Sequence, residues 1–498
     1  MNVEKSGTER GAPAAEVNTS LVIGLTFVAT LGGLLFGYDT AVISGAVTSI
    51  DAYFIDPLGL SETARSSLSG WTISSALLGC IIGAMVAGWV STALGRRGGL
   101  MVAGLMFLLG SVGSAWPEFG FGPIGHMGPD ALRPFIAYRI LGGVGVGIAS
   151  MLSPLYIAEI SPSAIRGRLV SFNQLAIVGG ILLVYFVNWF VASQGDDAWV
   201  KSTGWRYMLA SEAIPSAILL ILLMFVPDTP RWLVLRGRSP EALTQLRRLM
   251  SERDAREILA DIERTMVRTS HKLLTFGLPV ILIGIMISVF QQFVGINAVL
   301  YYAPLMFQNM GASTDTALLQ TVVVGGANVI FTVIAIVTVD KWGRKPLLVT
   351  GAIIMAVAMI ALGCLFNAKI VGLAALVAVV VYIAGFALSW GPVAWVMLSE
   401  MFPNAIKGKA MGIAVAAQWI ANLLVSASFK VLDGNSVLNT LFNHGFAYWI
   451  YGGMSVLAAL FVLRYVPETK GRSLEAIQDL WGKPATAGAT VAPSHPHS

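Results

Sequence analysis

Twelve apolar stretches, each close to the length of a membrane-crossing helix, constrain what this chain can become. They lie near residues 21–49, 66–93, 98–116, 131–158, 170–193, 206–226, 277–308, 316–338, 346–366, 373–398, 406–430 and 444–466. A helix needs about 20 apolar residues to cross the hydrocarbon core of a bilayer. Inside that core every backbone N–H and C=O must be satisfied by the protein itself, which a helix does within one segment. The pattern therefore predicts an all-α integral membrane protein with twelve transmembrane helices. Composition closes the other route. Only 12% of the residues are charged and 56% are hydrophobic, against about 25% charged in a soluble domain, so too little polar surface remains to cover a water-soluble fold. The first stretch is long and lacks a small-residue cleavage site, so it is expected to stay as a span. Cys80 and Cys364 fall inside apolar stretches and read as buried small hydrophobes, not as a disulfide.

The run of spans is interrupted once. Residues 227–276 hold ten Lys or Arg, with helix-compatible apolar positions at Ala242, Leu243, Leu246 and Leu249, and they divide six spans from six. The expected organisation is a disordered tail over 1–20, a six-helix bundle over 21–226, a cytoplasmic linker with short helices over 227–276, a second six-helix bundle over 277–466, and a C-terminal tail over 467–498. Lys and Arg accumulate in cytoplasmic loops. Arg96 and Arg97, Arg166 and Arg168, Lys341, Arg344 and Lys345, and Lys407 and Lys409 all follow even-numbered spans, whereas the opposite loops carry only Arg65, Arg133, Lys201, Lys369 and Lys430. Both termini are accordingly expected in the cytoplasm. The net charge of +5 is spread over these short runs and gives no footprint for nucleic acid.

The two halves repeat each other. Gly95-Arg96-Arg97 matches Gly343-Arg344-Lys345, and Glu159-Ile-Ser-Pro162 with Arg166-Gly167-Arg168 matches Glu400-Met-Phe-Pro403 with Lys407-Gly408-Lys409. Pro227-Asp228-Thr229 matches Pro467-Glu468-Thr469. Duplication of a six-helix unit predicts two pseudo-symmetric bundles with a binding site near the midplane between them, as in many transporters.

Ionisable residues inside a span are costly and by default functional. Asp39 lies in span 1, Arg139 in span 4 and Glu212 in span 6. An Asp–Arg pair whose separation changes with conformation can take up and release a proton; the same pair can also be a static bridge that fixes helix packing. A second constellation is neutral and polar. It comprises Gln174 in span 5, Gln291, Gln292, Asn297 and Tyr301 in span 7, and Asn328 in span 8, with Trp390, Gly391 and Trp395 in span 10 and Gln418, Trp419 and Asn422 in span 11. Helical spacing puts Gln291, Asn297 and Tyr301 near one face. Amides both donate and accept, which suits an uncharged polyhydroxylated ligand, with flat aromatic faces for its C–H surfaces. Amides also serve as interhelical glue. At the helix ends, Glu159 with Arg166 and Glu400 with Lys407 can pair with Arg96, Arg97 and Arg344. They read as a breakable gate holding the halves together on the inner side, or as topology-setting charge. Gly142-Gly-Val-Gly-Val-Gly147 lies inside an apolar span and reads as close helix packing, not a nucleotide loop. The five histidines have no metal-ligand spacing, and no nucleophile–base set marks an enzyme.

Taken together, Gly37-Tyr-Asp39, Tyr138-Arg139, Arg166-Gly-Arg168, Gln291-Gln-Phe-Val-Gly-Ile-Asn297, Ser389-Trp-Gly-Pro392 and Pro467-Glu-Thr-Lys-Gly-Arg472 resemble the sugar porter family of the major facilitator superfamily, from about Leu21 to Trp481. The resemblance implies alternating access without a cofactor, by a functional monomer in a bacterial inner membrane. The cargo it implies is a monosaccharide, D-xylose or D-glucose, moving with a proton; a passive uniporter and a sugar sensor are the alternatives. Sugar contacts are implied at Phe36, Gln174, Gln291, Gln292, Asn297, Tyr301, Asn328, Gly391, Trp395, Gln418 and Trp419, and proton coupling at Asp39, Arg139 and Glu212. Three departures stand out. Thr92 replaces an acid in the loop after span 2, Asp228 and Thr229 vary the motif after span 6, and Ile181 stands where xylose carriers of the family have a second glutamine. The missing amide makes glucose a rival to xylose.

Overall fold

A computed structural model describes residues 18–162, 165–266, 277–370, 372–403 and 406–470; the expected tails lie almost entirely outside that range. Among the described residues the chain is helices and turns, with no strand. Eleven helices are long and apolar enough to cross a membrane. One of them, Glu62–Ala115, has 54 residues, about 80 Å at the α-helical rise, or more than twice the hydrocarbon thickness. It breaks at Gly95, where φ is 83° and ψ is 175°, a conformation that glycine adopts without a Cβ clash. That helix makes two crossings, which gives twelve.

In chain order the crossings are α1 (Thr19–Gly45), α2 (62–94), α3 (96–115), α4 (Gly128–Ile160), α5 (Leu169–Ala192) and α6 (Asp197–Leu223) in the first half. The second half holds α7 (Leu278–Asn309), α8 (Thr314–Val339), α9 (Arg344–Asn367), α10 (Leu373–Met401), α11 (Lys409–Asp433) and α12 (Phe446–Tyr465). Between them lie three short helices, Pro230–Leu235, Ser239–Leu249 and Glu252–Met266. Ala242, Leu246 and Leu249 turn inward there, as their spacing predicts. The backbone N–H of Asn18 donates to the carbonyl of Leu249 at 2.9 Å, so α1 starts on the same side as these linker helices. Below, the two faces are the linker side and the far side.

Glycine sets how tightly the first bundle packs. A Cβ on Gly79 would fall 2.0 Å from the carbonyl of Ile140, and one on Gly143 would fall 1.9 Å from that of Ala76. Gly83 and Gly147 repeat the arrangement a turn on, so α2 and α4 touch backbone to backbone through the glycine run of span 4. Gly37 against Ile177 and Gly180 against Leu34 do the same for α1 and α5. Large apolar side chains such as Phe27, Met85, Ile214, Phe225 and Val357 face outward, as lipid contact requires. Cys364 shares that outward face of α9 with Ile353, Val357 and Ile360, so it is exposed, and only Cys80 is the buried small residue the sequence suggested.

The halves meet through two pairs of helices, α2 with α11 and α5 with α8. Repeat symmetry exchanges these pairs, because α2 corresponds to α8 and α5 to α11. The close approaches lie toward the far side: Gly70 against the carbonyl of Ala427, Gly434 against Ser66, and Gly325 against Tyr185. A small apolar cluster of Ala192, Val200, Met208 and Leu318 adds to the same end.

Candidate functional site

Span 7 is not one helix. It runs Leu278–Phe293, breaks, and resumes over Ile296–Asn309. Gly295 takes φ 94° at the break, a left-handed conformation that favours glycine. The Phe-Val-Gly-Ile sequence carries that signal, and an uninterrupted helix was the simpler expectation. α10 breaks as well, between Leu388 and Pro392. Broken helices near the midplane free backbone groups to line a site.

The polar side chains gather around these two breaks. Gln291 donates to the carbonyl of Trp390 at 2.9 Å, and Asn297 donates to the side-chain oxygen of Gln292 at 2.6 Å, with Gln292 beside Gln291 at 3.5 Å. Three amides from both pieces of α7 thus form one buried chain against the break in α10. Tyr301, one turn on, is paired with Asn422 of α11. Trp419 on α11 meets Phe36 on α1 with ring centroids 5.6 Å apart, an aromatic contact between the halves. Next to Trp419, the side-chain oxygen of Gln418 is buried with no protein partner. Asn328 is buried on α8, while Gln174 on α5 and Trp395 on α10 are half-buried. Trp390 stands apart from its neighbours: fully buried, it donates to the carbonyl of Leu348 and serves packing.

The ionisable residues form a separate cluster within the first half. Arg139 donates to Asp39 at 2.8 Å, with both side chains at most 4% exposed. Glu212 is buried alongside, within hydrogen-bonding reach of Asp39, and among the described residues one of its oxygens has no partner. Two carboxyl groups therefore face one guanidinium, a charge balance that leaves room for one proton. A cavity of about 10 Å³ separates the pair from Tyr301, so the cluster and the amide region share a wall.

With the far side closed, the expected gate residues pair within each half. Arg96 bonds Glu159 at 2.8 Å, Thr229 donates to the same carboxylate, and Asp228 accepts the backbone N–H of Arg96. In the second half Arg344 bonds Glu400 at 2.8 Å, Thr469 donates to Glu400, and Glu468 accepts the backbone N–H groups of Arg344 and Lys345. The duplication is faithful, but each pair lies wholly inside one half, so it ties helix ends together and does not hold the halves to each other. Asp228, in the varied motif after span 6, fills the place that Glu468 fills in the second half: its carboxylate sits where a Cβ on Gly95 would be. Burial raises its pKa, and hydrogen bonds from Thr229, Arg96 and Arg97 oppose that rise. The guanidinium of Arg97 donates to the carbonyls of Leu223 and Met224, at and just past the end of α6. Thr92 turns its hydroxyl back to the carbonyl of Gly88 in its own helix and accepts the indole N–H of Trp232 at its carbonyl. The side chains of Arg166 and Lys407 lie outside the described ones.

What does bridge the halves is a pair the sequence reading passed over. Lys430, taken there for a loop charge, lies within α11 and reaches Asp51 at 3.0 Å, with side chains 9% and 5% exposed. Ser69 of α2 donates to the same carboxylate. The signal was available: Lys430 stands near the end of an apolar run, at helical spacing from Trp419, which meets Phe36 of the other half.

Comparison with known proteins agrees with this architecture. A family model described as sugar (and other) transporter matches residues 25–481. The D-xylose-proton symporter of Escherichia coli K12 is 54% identical over 478 residues, covering 94% of this chain and 97% of that protein. The glucose facilitated diffusion protein of Zymomonas mobilis is 48% identical over 472 residues, covering 94% and 99%. The inward open conformation of the xylose transporter XylE from Escherichia coli superposes with a TM-score of 0.84 at 52% identity, covering 92% of this chain and all of that one.

Proposed function

The chain belongs to the sugar transporter family, and from that premise we propose that it imports a monosaccharide, D-xylose or D-glucose, together with a proton, by alternating access. The observation that carries this reading is the juxtaposition of two kinds of site. A neutral amide and tryptophan lining sits at the seam between the halves, and a buried Asp39–Arg139–Glu212 cluster lies one wall away. The first suits a sugar, whose hydroxyls need donors and acceptors. The second can hold one proton. The two halves, over 21–226 and 277–466, rock about the site, with the linker side in the cytoplasm of a bacterium, both termini on that side, and the carrier working as a monomer in the inner membrane. The packing of α2 on α11 and of α5 on α8 at the far side supports a conformation closed to the outside.

The sugar is read by Phe36, Gln174, Gln291, Gln292, Asn297, Tyr301, Asn328, Gly391, Trp395, Gln418 and Trp419. Asp39, Arg139 and Glu212 couple it to the proton. Uptake of radiolabelled D-xylose and D-glucose into proteoliposomes, with and without an imposed pH gradient, tests the whole reading. Accumulation that follows the gradient is the expected result. Equilibration indifferent to pH would make the protein a facilitator, with Asp39 only a structural partner of Arg139.

Two substitutions test the sugar site. Gln292→Ala and Trp395→Ala should each weaken sugar binding at least tenfold, a loss of one or two buried hydrogen bonds or one stacking face, with melting temperature little changed. Wild-type affinity in both variants would place the site elsewhere. Ile181 is buried on α5 a full helical repeat from Gln174. Ile181→Gln restores the amide and should raise the ratio of xylose to glucose transport several-fold; an unchanged ratio removes this position from the specificity argument.

A further inference from the structure

Pro304 lies inside the second piece of α7. Proline has no amide hydrogen, so the carbonyl four residues earlier, that of Leu300, loses its helical donor. An unmet carbonyl at membrane depth is costly. The structure meets it from the opposite half. The hydroxyl of Tyr185, on α5, donates to the Leu300 carbonyl at 2.7 Å, and the tyrosine is 1% exposed. Its ring reaches this position past Gly325 of α8, where a Cβ would come within 2.9 Å of the Tyr185 ring. Two other tyrosines hold α7 in the same manner. Tyr382 donates to the Val294 carbonyl at the break, and Tyr302 donates to the Ser426 carbonyl of α11. Those two bonds stay within the second half, whereas the Tyr185 bond crosses between halves.

We propose that Tyr185 is a positioning residue of the transport cycle, the removable cap of a carbonyl that Pro304 leaves open. Through that cap the outer piece of α7 is held against the first half whenever the outer side is closed. The proposal rests on the rocking of the halves described above. When the outer side opens, α5 parts from α7 and water in the vestibule takes over the Leu300 carbonyl. When it closes, water leaves, no group in the α7 helix can serve that carbonyl, and Tyr185 must return. The bond therefore favours the closed arrangement and checks that α7 is seated before the inner side opens. Proline and tyrosine act as one device, split across the two halves.

The test reads conformation directly. Ser66 lies buried at the far end of α2 against Gly434 of α11. In the full-length protein with Cys364→Ser, which removes the exposed thiol, Ser66→Cys reports outer opening by its rate of reaction with a membrane-impermeant maleimide. Adding Tyr185→Phe should raise that rate about tenfold, the effect of one buried hydrogen bond on a two-state equilibrium. Tyr302→Phe, which removes a bond inside one half, should leave it unchanged. Pro304→Ala returns an amide to the helix, so in that background Tyr185→Phe should have little effect. An unchanged rate in Tyr185→Phe overturns the proposal, as does an equal rise in Tyr302→Phe. An undiminished Tyr185→Phe effect beside Ala at 304 does the same, because the hydroxyl would then act without the carbonyl that Pro304 leaves open. Sugar uptake is not part of the readout, so a negative result here and a failure of the transport reading are told apart.

Discussion

Asp39→Asn abolishes accumulation of sugar against a gradient and leaves sugar binding in place. Asparagine stands for a permanently protonated aspartate: the shape is kept and the ability to give up a proton is lost. In wild type the Asp39 carboxyl has Arg139 as its buried partner, at 2.8 Å, while the outer side is closed. Rocking that separates the pair strands a carboxylate in a dry site, where a charge without a partner is unfavourable, and a proton from outside relieves it. In the variant that exchange has no site, so the pH gradient no longer drives sugar inward. Exchange of labelled for unlabelled sugar survives, because the amide chain from Gln291 to Asn297 lies beyond the cavity wall. Removing one partner of a buried ion pair ordinarily costs about 3–5 kcal/mol. Here Glu212, with an oxygen free and Asp39 within reach, can take over Arg139. The single variant should thus fold, and Asp39→Asn with Glu212→Gln together should not. Uptake in proteoliposomes with and without a pH gradient decides it. Gradient-driven accumulation by Asp39→Asn would show that the proton travels by another group.

Lys430→Met opens the outer side. The Lys430–Asp51 pair joins the halves, and its side chains are under a tenth exposed. Methionine keeps the volume and removes the charge, so Asp51 is left ionised and buried in the closed arrangement with Ser69 as its remaining donor. That penalty, about 3–5 kcal/mol for a broken buried pair, falls on the closed state alone, because opening lets water reach Asp51. The equilibrium should move by about two to three and a half orders of magnitude toward outer-open forms, that free energy converted at room temperature. Sugar binding from outside persists and net uptake slows severely. Asp51→Asn in the same molecule removes the stranded charge and should recover much of the uptake, since a buried pair replaced as a unit is often neutral. Distances between spin labels at the far ends of α2 and α11 measure the shift. A distribution unchanged from wild type would mean that the pair is incidental to closure.

Much of this was legible in the chain because membranes leave few choices. Span count, two halves and the Asp39–Arg139 pair followed from hydropathy, repeated motifs and the cost of buried charge. The amide set was found by residue type, although its geometry was not. Helical spacing could not place Asn297 against Gln292, because Gly295 redirects α7 between them. How the gate residues pair was not legible, for a physical reason. Sequence repetition shows that Arg96 and Glu159 have twins in Arg344 and Glu400, but it does not say whether a pair closes within a repeat or between repeats, since both satisfy the same charges. Lys430 was missed because charge at the end of a span ordinarily snorkels to water, and only the packing of α2 against α11 shows that it is enclosed.

Beside Asp39 and Arg139 there is about 10 Å³ of room, space for a single water at most. A proton crosses a membrane quickly along a continuous file of waters, and one molecule is not a file. A cavity of that size cannot hold a file of waters beside the cluster, which favours a carrier that, waiting without sugar, does not short-circuit the gradient it will later use. A bacterium could then keep many copies in its membrane through long periods of starvation without a standing drain on respiration, and begin uptake as soon as sugar returns.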